Sequence, residues 1–197
     1  MVKKSWFQYA IFGAILFILY VTGLLPQVIA FAQRGLLKTG LMNPKTEIVV
    51  DRQEINNATH FEKADLDFAL RDENGRLLSL QDFEGKPIFL NFWATWCPPC
   101  IAEMPSIDEA YQNLGEEVAF VLVSTDESFQ KAIDFKQKRK FKVPIYQIAG
   151  PIPAQFHSQS LPTTFVIDAS ENLVLRHEGM ADYSKNKFQS FLQSLTK

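Results

Sequence analysis

Phe92-Trp93-Ala94-Thr95-Trp96-Cys97-Pro98-Pro99-Cys100 is the stretch that decides how the rest of this chain is understood. Cys97 and Cys100 are the only cysteines among 197 residues. A C-x-x-C pair that follows an apolar run and precedes a helix is the pattern of a thiol-disulfide site. Upstream, Pro87-Ile88-Phe89-Leu90-Asn91-Phe92-Trp93 is short and mostly apolar, which fits a buried central strand. Downstream, Pro99 suits the first turn of a helix, where its missing N–H has no partner to lose. Ile101, Met104, Ile107, Ala110 and Tyr111 then recur at helical spacing to about Leu114; Gly115 predicts the stop and Pro105 a kink.

Alternation and turn residues organise the chain on either side. Leu66, Phe68 and Leu70 share one face of a predicted strand, Asp72-Glu73-Asn74-Gly75 supplies turn chemistry, and Leu77, Leu78 and Leu80 return as a second strand, giving a hairpin. After the helix, Val118 to Val123 reads as a buried strand. Glu127 to Lys140 reads as a helix whose basic end, Lys136, Lys138, Arg139 and Lys140, is a solvated terminus complementing the helix dipole. Val143 to Gln147 is a short strand and Ile152 to His157 a short helix or turn. Phe165 to Asp168 and Leu173 to Glu178 form a hairpin, and Tyr183 to Leu195 closes the domain as an amphipathic helix with Phe188, Phe191, Leu192 and Leu195 inward. This order predicts an α/β domain over 64–197, a central mixed sheet with helices on both faces.

The N-terminus is of another kind. Lys3 and Lys4 precede an uncharged run from Trp6 to Ala32, whose densest part, Phe7 to Leu25, would span roughly 29 Å as a helix, close to a bilayer core. Residues 1–32 therefore read as a membrane anchor or a signal peptide. Ala30-Phe31-Ala32 has the form of a cleavage site, but the run exceeds a signal h-region, which favours an anchor over residues 7–25. Either one exports the C-terminal part. Residues 33–63 form a linker or membrane-proximal tract, with an amphipathic stretch from Gln33 to Asn43 and an apolar island at Ile48 to Val50. A formal charge of -2 offers no reason to expect nucleic acid as a partner. With 47% hydrophobic residues and 17 Phe the chain can fill a core of ordinary size.

These residues resemble the thioredoxin superfamily, and more specifically its membrane-anchored, extracytoplasmic TlpA- and ResA-like thiol-disulfide oxidoreductases. The likeness rests on Phe92 to Cys100, Pro105 five residues after the second cysteine, Leu161-Pro162-Thr163-Thr164 ahead of a strand, and the N-terminal hairpin. It covers roughly residues 64–197. It implies a thioredoxin fold with an added N-terminal hairpin beside the N-terminal transmembrane helix, protein disulfides or dithiols as substrates, and a membrane thiol-disulfide electron donor. Cytochrome c maturation is one setting it implies. It also implies that Pro162 is cis and lies against the disulfide, that Leu161 offers backbone groups to an extended polypeptide, and that Glu103 handles protons for Cys100.

Disulfide exchange needs a thiolate, so a cysteine with an ordinary pKa of about 8.5 must be made more acidic. Cys97 stands just before a helix N-terminus, whose dipole and free N–H groups stabilise negative charge, which makes it the expected nucleophile. Cys100, one turn inside, is the expected resolving thiol. Pro98 and Pro99 have no N–H, leaving Cys100 N–H as the nearest backbone donor to the Cys97 sulfur and pointing to a reductant with moderate thiolate stabilisation. Glu103, three residues after Cys100, shares its helix face. Trp93 and Trp96 shield the disulfide, with Trp96 a candidate for substrate contact. The dithiol needs no added cofactor. His60, His157 and His177 show no ligand spacing toward Cys97, and a structural bridge across so short a loop is worth only about 2 kcal/mol. The alternatives are a disulfide-donating oxidase of the same fold, a thiol peroxidase, for which no P-x-x-x-T-x-x-C precedes Cys97, and a non-catalytic tethered binding module.

Overall fold

The computed structural model describes residues 62–196 and isolated positions between Trp6 and Ile29. The chain divides into two compact units, Met1–Met42 and Asn43–Lys197. In the first unit, positions 8–11, 13, 14, 17 and 21 are helical and exposed. Among the described residues no helix is long and apolar enough to cross a membrane. Most of the predicted 7–25 anchor, the Gln33 to Asn43 stretch and the Ile48 to Val50 island lie outside the described residues.

The second unit is built on a mixed seven-stranded sheet in the order β2-β1-β5-β4-β3-β6-β7. Its strands are β1 (Ala69–Asp72), β2 (Leu77–Ser79), β3 (Ile88–Trp93), β4 (Ala119–Ser124), β5 (Ile145–Ile148), β6 (Thr163–Ile167) and β7 (Leu173–Glu178). Three α-helices complete it: α1 (Pro98–Leu114), α2 (Phe129–Arg139) and α3 (Asn186–Ser194). β3 pairs parallel with β4, and β4 with β5, while β6 runs antiparallel to β3. All six residues of β3 are buried, as a central strand covered on both faces requires.

The two faces are covered differently. On the face carrying Phe89, Asn91 and Trp93, Phe89 meets Phe188 of α3, Trp93 meets Phe135 of α2, and Phe120 meets Tyr111 of α1. All three α-helices therefore pack on one face. The expected helices of the second face are only 3-10 turns, Leu80–Phe83 and Ala154–Phe156, together with the extended segment 64–68. The cause is topological: β3-α1-β4 and β4-α2-β5 step across the sheet in the same direction, and right-handed crossovers with the same step lie on the same side. On the second face Phe156 and Phe92 pack edge-on against Phe165, and Phe68 stacks on Phe92. Burying each of these rings contributes roughly 1.5–3 kcal/mol.

Several boundaries differ from expectation. Leu66, Phe68 and Leu70 all point into the core, as their alternation predicts, yet ladder pairing begins only at Ala69. Ala64 N–H is held by Glu171 O at 2.8 Å and Leu173 N–H donates to Glu62 O, so residues 62–64 bridge to the start of β7 before the segment crosses the sheet face, where Phe68 N–H turns back onto Leu66 O. β1 and β2 pair antiparallel through the turn after Asp72, where Asp72 Oδ1 accepts from the N–H groups of Asn74 and Arg76. Gly75 occupies φ 84° there, a conformation costly for a residue with a Cβ. α1 continues across Pro105. α3 starts at Asn186 and not at Tyr183, because Tyr183 is pulled fully into the core ahead of the helix. In the basic end of α2, Lys136 is not solvated: it forms an ion pair with Glu73 of the hairpin turn.

Candidate active site

β3 delivers the chain to the loop Ala94–Trp96, and that loop is tied to the end of β4. Thr95 N–H and Oγ1–H both donate to the Asp126 carboxylate, the N–H at 3.0 Å to Oδ2 and the hydroxyl at 2.6 Å to Oδ1. Ser124 Oγ–H donates to the same carboxylate at 2.9 Å, and Thr125 N–H donates to Trp93 O. The backbone ahead of Cys97 is thus tied to residues 124–126 at the end of β4.

Cys97 is the N-cap of α1, in extended conformation, followed by Pro98 and Pro99 in the first turn. An N-cap side chain accepts from the N–H two or three residues on. The prolines remove the nearer donors, and Cys97 Sγ accepts from Cys100 N–H at 3.3 Å. Cys97 and Cys100 are joined as a disulfide, their Cα atoms 5.3 Å apart. Cys100 is fully buried and Cys97 is 3% exposed, whereas Trp96 beside them is 60% exposed. Trp93, in contrast, is buried and packs on Phe135.

The β3–β6 register brings the other predicted segment to this end of the sheet. Phe92 pairs with Thr163, so Leu161-Pro162 passes the C-terminal end of β3, where the Cys97 loop begins. The Leu161–Pro162 peptide is cis. Pro162 is buried, and its carbonyl accepts from Gly179 N–H at 2.9 Å. Among the described residues neither the N–H nor the carbonyl of Leu161 takes a hydrogen bond.

Glu103 is no solvated residue of a first helical turn. It is 2% exposed, facing the sheet, where Oε1 accepts from Asn91 Nδ2 at 3.0 Å and Oε2 from Ala181 N–H at 3.2 Å. Burial pushes its carboxyl up to about 8, against the pull of those two hydrogen bonds. Asn91 Nδ2 also donates to Thr164 Oγ1 at 2.9 Å, and Thr164 Oγ1 lies 2.6 Å from Tyr183 Oη. Burial, with the Glu103 charge second, holds the Tyr183 phenol well above its ordinary value. Asn91, Thr164, Tyr183 and Asp126 were not singled out from the sequence. One signal was present: Asn91 is the one polar side chain in the apolar run from Ile88 to Trp93.

A mixed sheet with a C-x-x-C disulfide capping the helix after its central strand, and an x-cis-Pro segment arriving beside it, defines a thioredoxin-fold thiol-disulfide oxidoreductase. Residues 62–176 match the AhpC/TSA family, and the chain belongs to that thioredoxin-like family, in its ResA-type thiol-disulfide oxidoreductase branch. It is 32% identical over 131 residues to thiol-disulfide oxidoreductase ResA of Bacillus thuringiensis, covering 66% of this chain and 75% of that one. It is 36% identical over 105 residues to thioredoxin-like protein YneN of Bacillus subtilis, covering 52% and 62%. Among solved structures, a thioredoxin-family thiol:disulfide interchange protein of Chlorobium tepidum shares the fold with a TM-score of 0.59 at 24% identity, over 70% of this chain and 98% of that one. The exposed lipoprotein thioredoxin of Streptococcus pneumoniae has a TM-score of 0.54 at 25% identity, over 65% and 98%.

Proposed function

We propose that this protein acts outside the cytoplasm, held to the membrane by residues 7–25, where it reduces or exchanges disulfides of exported proteins such as apocytochrome c. The observation that carries this function is the Cys97–Cys100 disulfide at the N-terminus of α1, with the Cys97 sulfur facing the Cys100 N–H. In the reduced protein the Cys97 thiolate attacks a substrate disulfide, one substrate sulfur leaves as thiolate, and a mixed disulfide forms. Cys100 then loses its proton and attacks the Cys97 sulfur, which releases the second substrate thiol and restores the Cys97–Cys100 bond. Two electrons pass to the substrate, and a membrane thiol-disulfide carrier returns them.

Three further parts belong to this proposal. Glu103, one helical turn beyond Cys100 and with its carboxyl raised to about 8, is matched to a thiol of about 8.5, and in its ionised form takes the proton Cys100 releases. The open N–H and carbonyl of Leu161, next to Pro162, pair with an extended substrate chain. Trp96 supplies exposed apolar contact beside the attacking sulfur. Export is supported by the apolar N-terminal run, in which Tyr9 and Phe17 are helical and 75% and 67% exposed, and by the exposed lipoprotein among the similar structures.

The test is mixed-disulfide trapping in cells. A Cys100→Ser variant accumulates covalent adducts with exported proteins through Cys97, and a Cys97→Ser variant accumulates none through Cys100. Adducts only with cytosolic proteins refute the placement. A reduction potential near about -270 mV or lower supports the reductant, and one near about -120 mV makes the protein a disulfide donor instead.

A further inference from the structure

Asn91 is fully buried in the middle of β3, and its amide is used unevenly. Nδ2 gives both hydrogens away, one to Glu103 Oε1 and one to Thr164 Oγ1. Oδ1 is buried and has no hydrogen-bond partner among the described residues. A buried carbonyl without a protein partner is costly and calls for a reason. That arrangement suits an ionised Glu103, which can only accept. Once Glu103 takes a proton, its O–H needs an acceptor. With the amide as it stands, two groups would then be unpaired, the acid O–H and Asn91 Oδ1. Rotation of the amide about its last torsion lets Oδ1 accept from both Glu103 O–H and Thr164 Oγ1–H, which pairs the acid proton and the amide carbonyl and leaves the two Nδ2 hydrogens unpaired in their place. Thr164 can reverse in this way because Tyr183 Oη, 2.6 Å from Oγ1, can serve as donor or acceptor.

We propose that Asn91 is a positioning residue that serves both protonation states of Glu103, Nδ2 donating to the carboxylate and, with the amide turned over, Oδ1 accepting from the carboxylic acid. The two states differ by one proton on Glu103 and by the direction of the Asn91–Thr164–Tyr183 chain. Both are populated near neutral pH, since burial places the Glu103 carboxyl at about 8. The groups that meet the Glu103 carboxyl are Asn91 from β3 and Ala181 N–H from the segment after β7; Tyr183 feels its charge, Thr164 of β6 reaches it through Asn91, and Cys100 lies one helical turn before it on α1. His177 of β7 lies opposite Thr164 on the same sheet face, and burial lowers its ring, so it stays neutral in this range. The device serves the proton-handling role proposed for Glu103, but it is measured without the thiols.

The experiment is NMR of the full-length protein in detergent, disulfide intact, between pH 6 and 10. The Asn91 side-chain amide resonances are expected to titrate with the midpoint of the Glu103 carboxyl carbon. Asn91→Leu, which removes a charge-assisted donor from the carboxylate and only a neutral acceptor from the acid, is expected to make Glu103 bind its proton about tenfold tighter. Thr164→Val should move the same midpoint less. An Asn91 amide that does not follow Glu103 overturns the proposal, and that result stands even where Asn91→Leu fails to fold. Failure of the catalytic role of Glu103 is read separately: the pH profile of the rate at which Cys100 resolves a Cys97 mixed disulfide would then be unchanged in Glu103→Gln, whatever Asn91 does.

Discussion

Replacing Glu103 by glutamine should change how the stability of the oxidised protein depends on pH. The folded state holds this proton up to about pH 8, whereas the unfolded chain releases it near the ordinary value of 4.5. Between those values the folded state binds more protons, so the stability contributed by the neutral acid is complete below about 4.5 and is lost as pH rises through 8. Each pH unit of the window is worth about 1.4 kcal/mol, which gives about 5 kcal/mol in all and about 4 kcal/mol between pH 5 and 9. That is a large share of the roughly 5–15 kcal/mol of a typical domain. A glutamine side chain at this position has no such titration. Its amide replaces one acceptor oxygen by a donor facing Asn91 Nδ2 or Ala181 N–H, a cost that does not vary with pH. The assay is urea unfolding of both proteins, disulfide intact, at pH 5, 7 and 9. Wild type should lose about 4 kcal/mol more than Glu103→Gln over that range. Two parallel stability curves would show that Glu103 ionises normally in the fold, and the argument from burial would be wrong.

Other perturbations address the scaffold around the pair. Asp126→Ala frees Thr95 N–H and its hydroxyl, and should cost about 1–3 kcal/mol in thermal melts while slowing disulfide exchange, because the loop before Cys97 loses its tether. Asp108→Ala, which unpairs the N–H groups of Lys142 and Val143, should cost a similar amount in urea unfolding and leave the exchange rate of the folded protein unchanged. Phe165→Ala, at the centre of the Phe92 and Phe156 contacts, should cost about 3–5 kcal/mol by denaturant midpoint.

Much of the domain was legible because its signals are local. The apolar run of β3, the prolines at the start of α1 and the C-x-x-C spacing each act within a few residues, and they placed Cys97 as N-cap and Cys100 one turn inside. Sidedness was not legible, since it depends on the step and handedness of two crossovers. Nor was the fate of residues 64–68, whose alternation is that of a strand while Ala64 is held by Glu171 and Phe68 N–H turns back onto Leu66 O.

What the sequence by itself determined, then, is the chemistry: two cysteines at a helix N-terminus with intervening residues that withhold their N–H groups. What only the tertiary structure decided is the environment of that chemistry. Glu103 has the same spacing from Cys100 whether it faces water or the sheet, and its proton affinity depends on which. Packing of α1 over β3 puts it against Asn91, and pairing of β3 with β6 adds Thr164 and Tyr183 from distant parts of the chain. Burial and hydrogen bonding set a carboxyl's acidity, and both are properties of neighbours brought together in space.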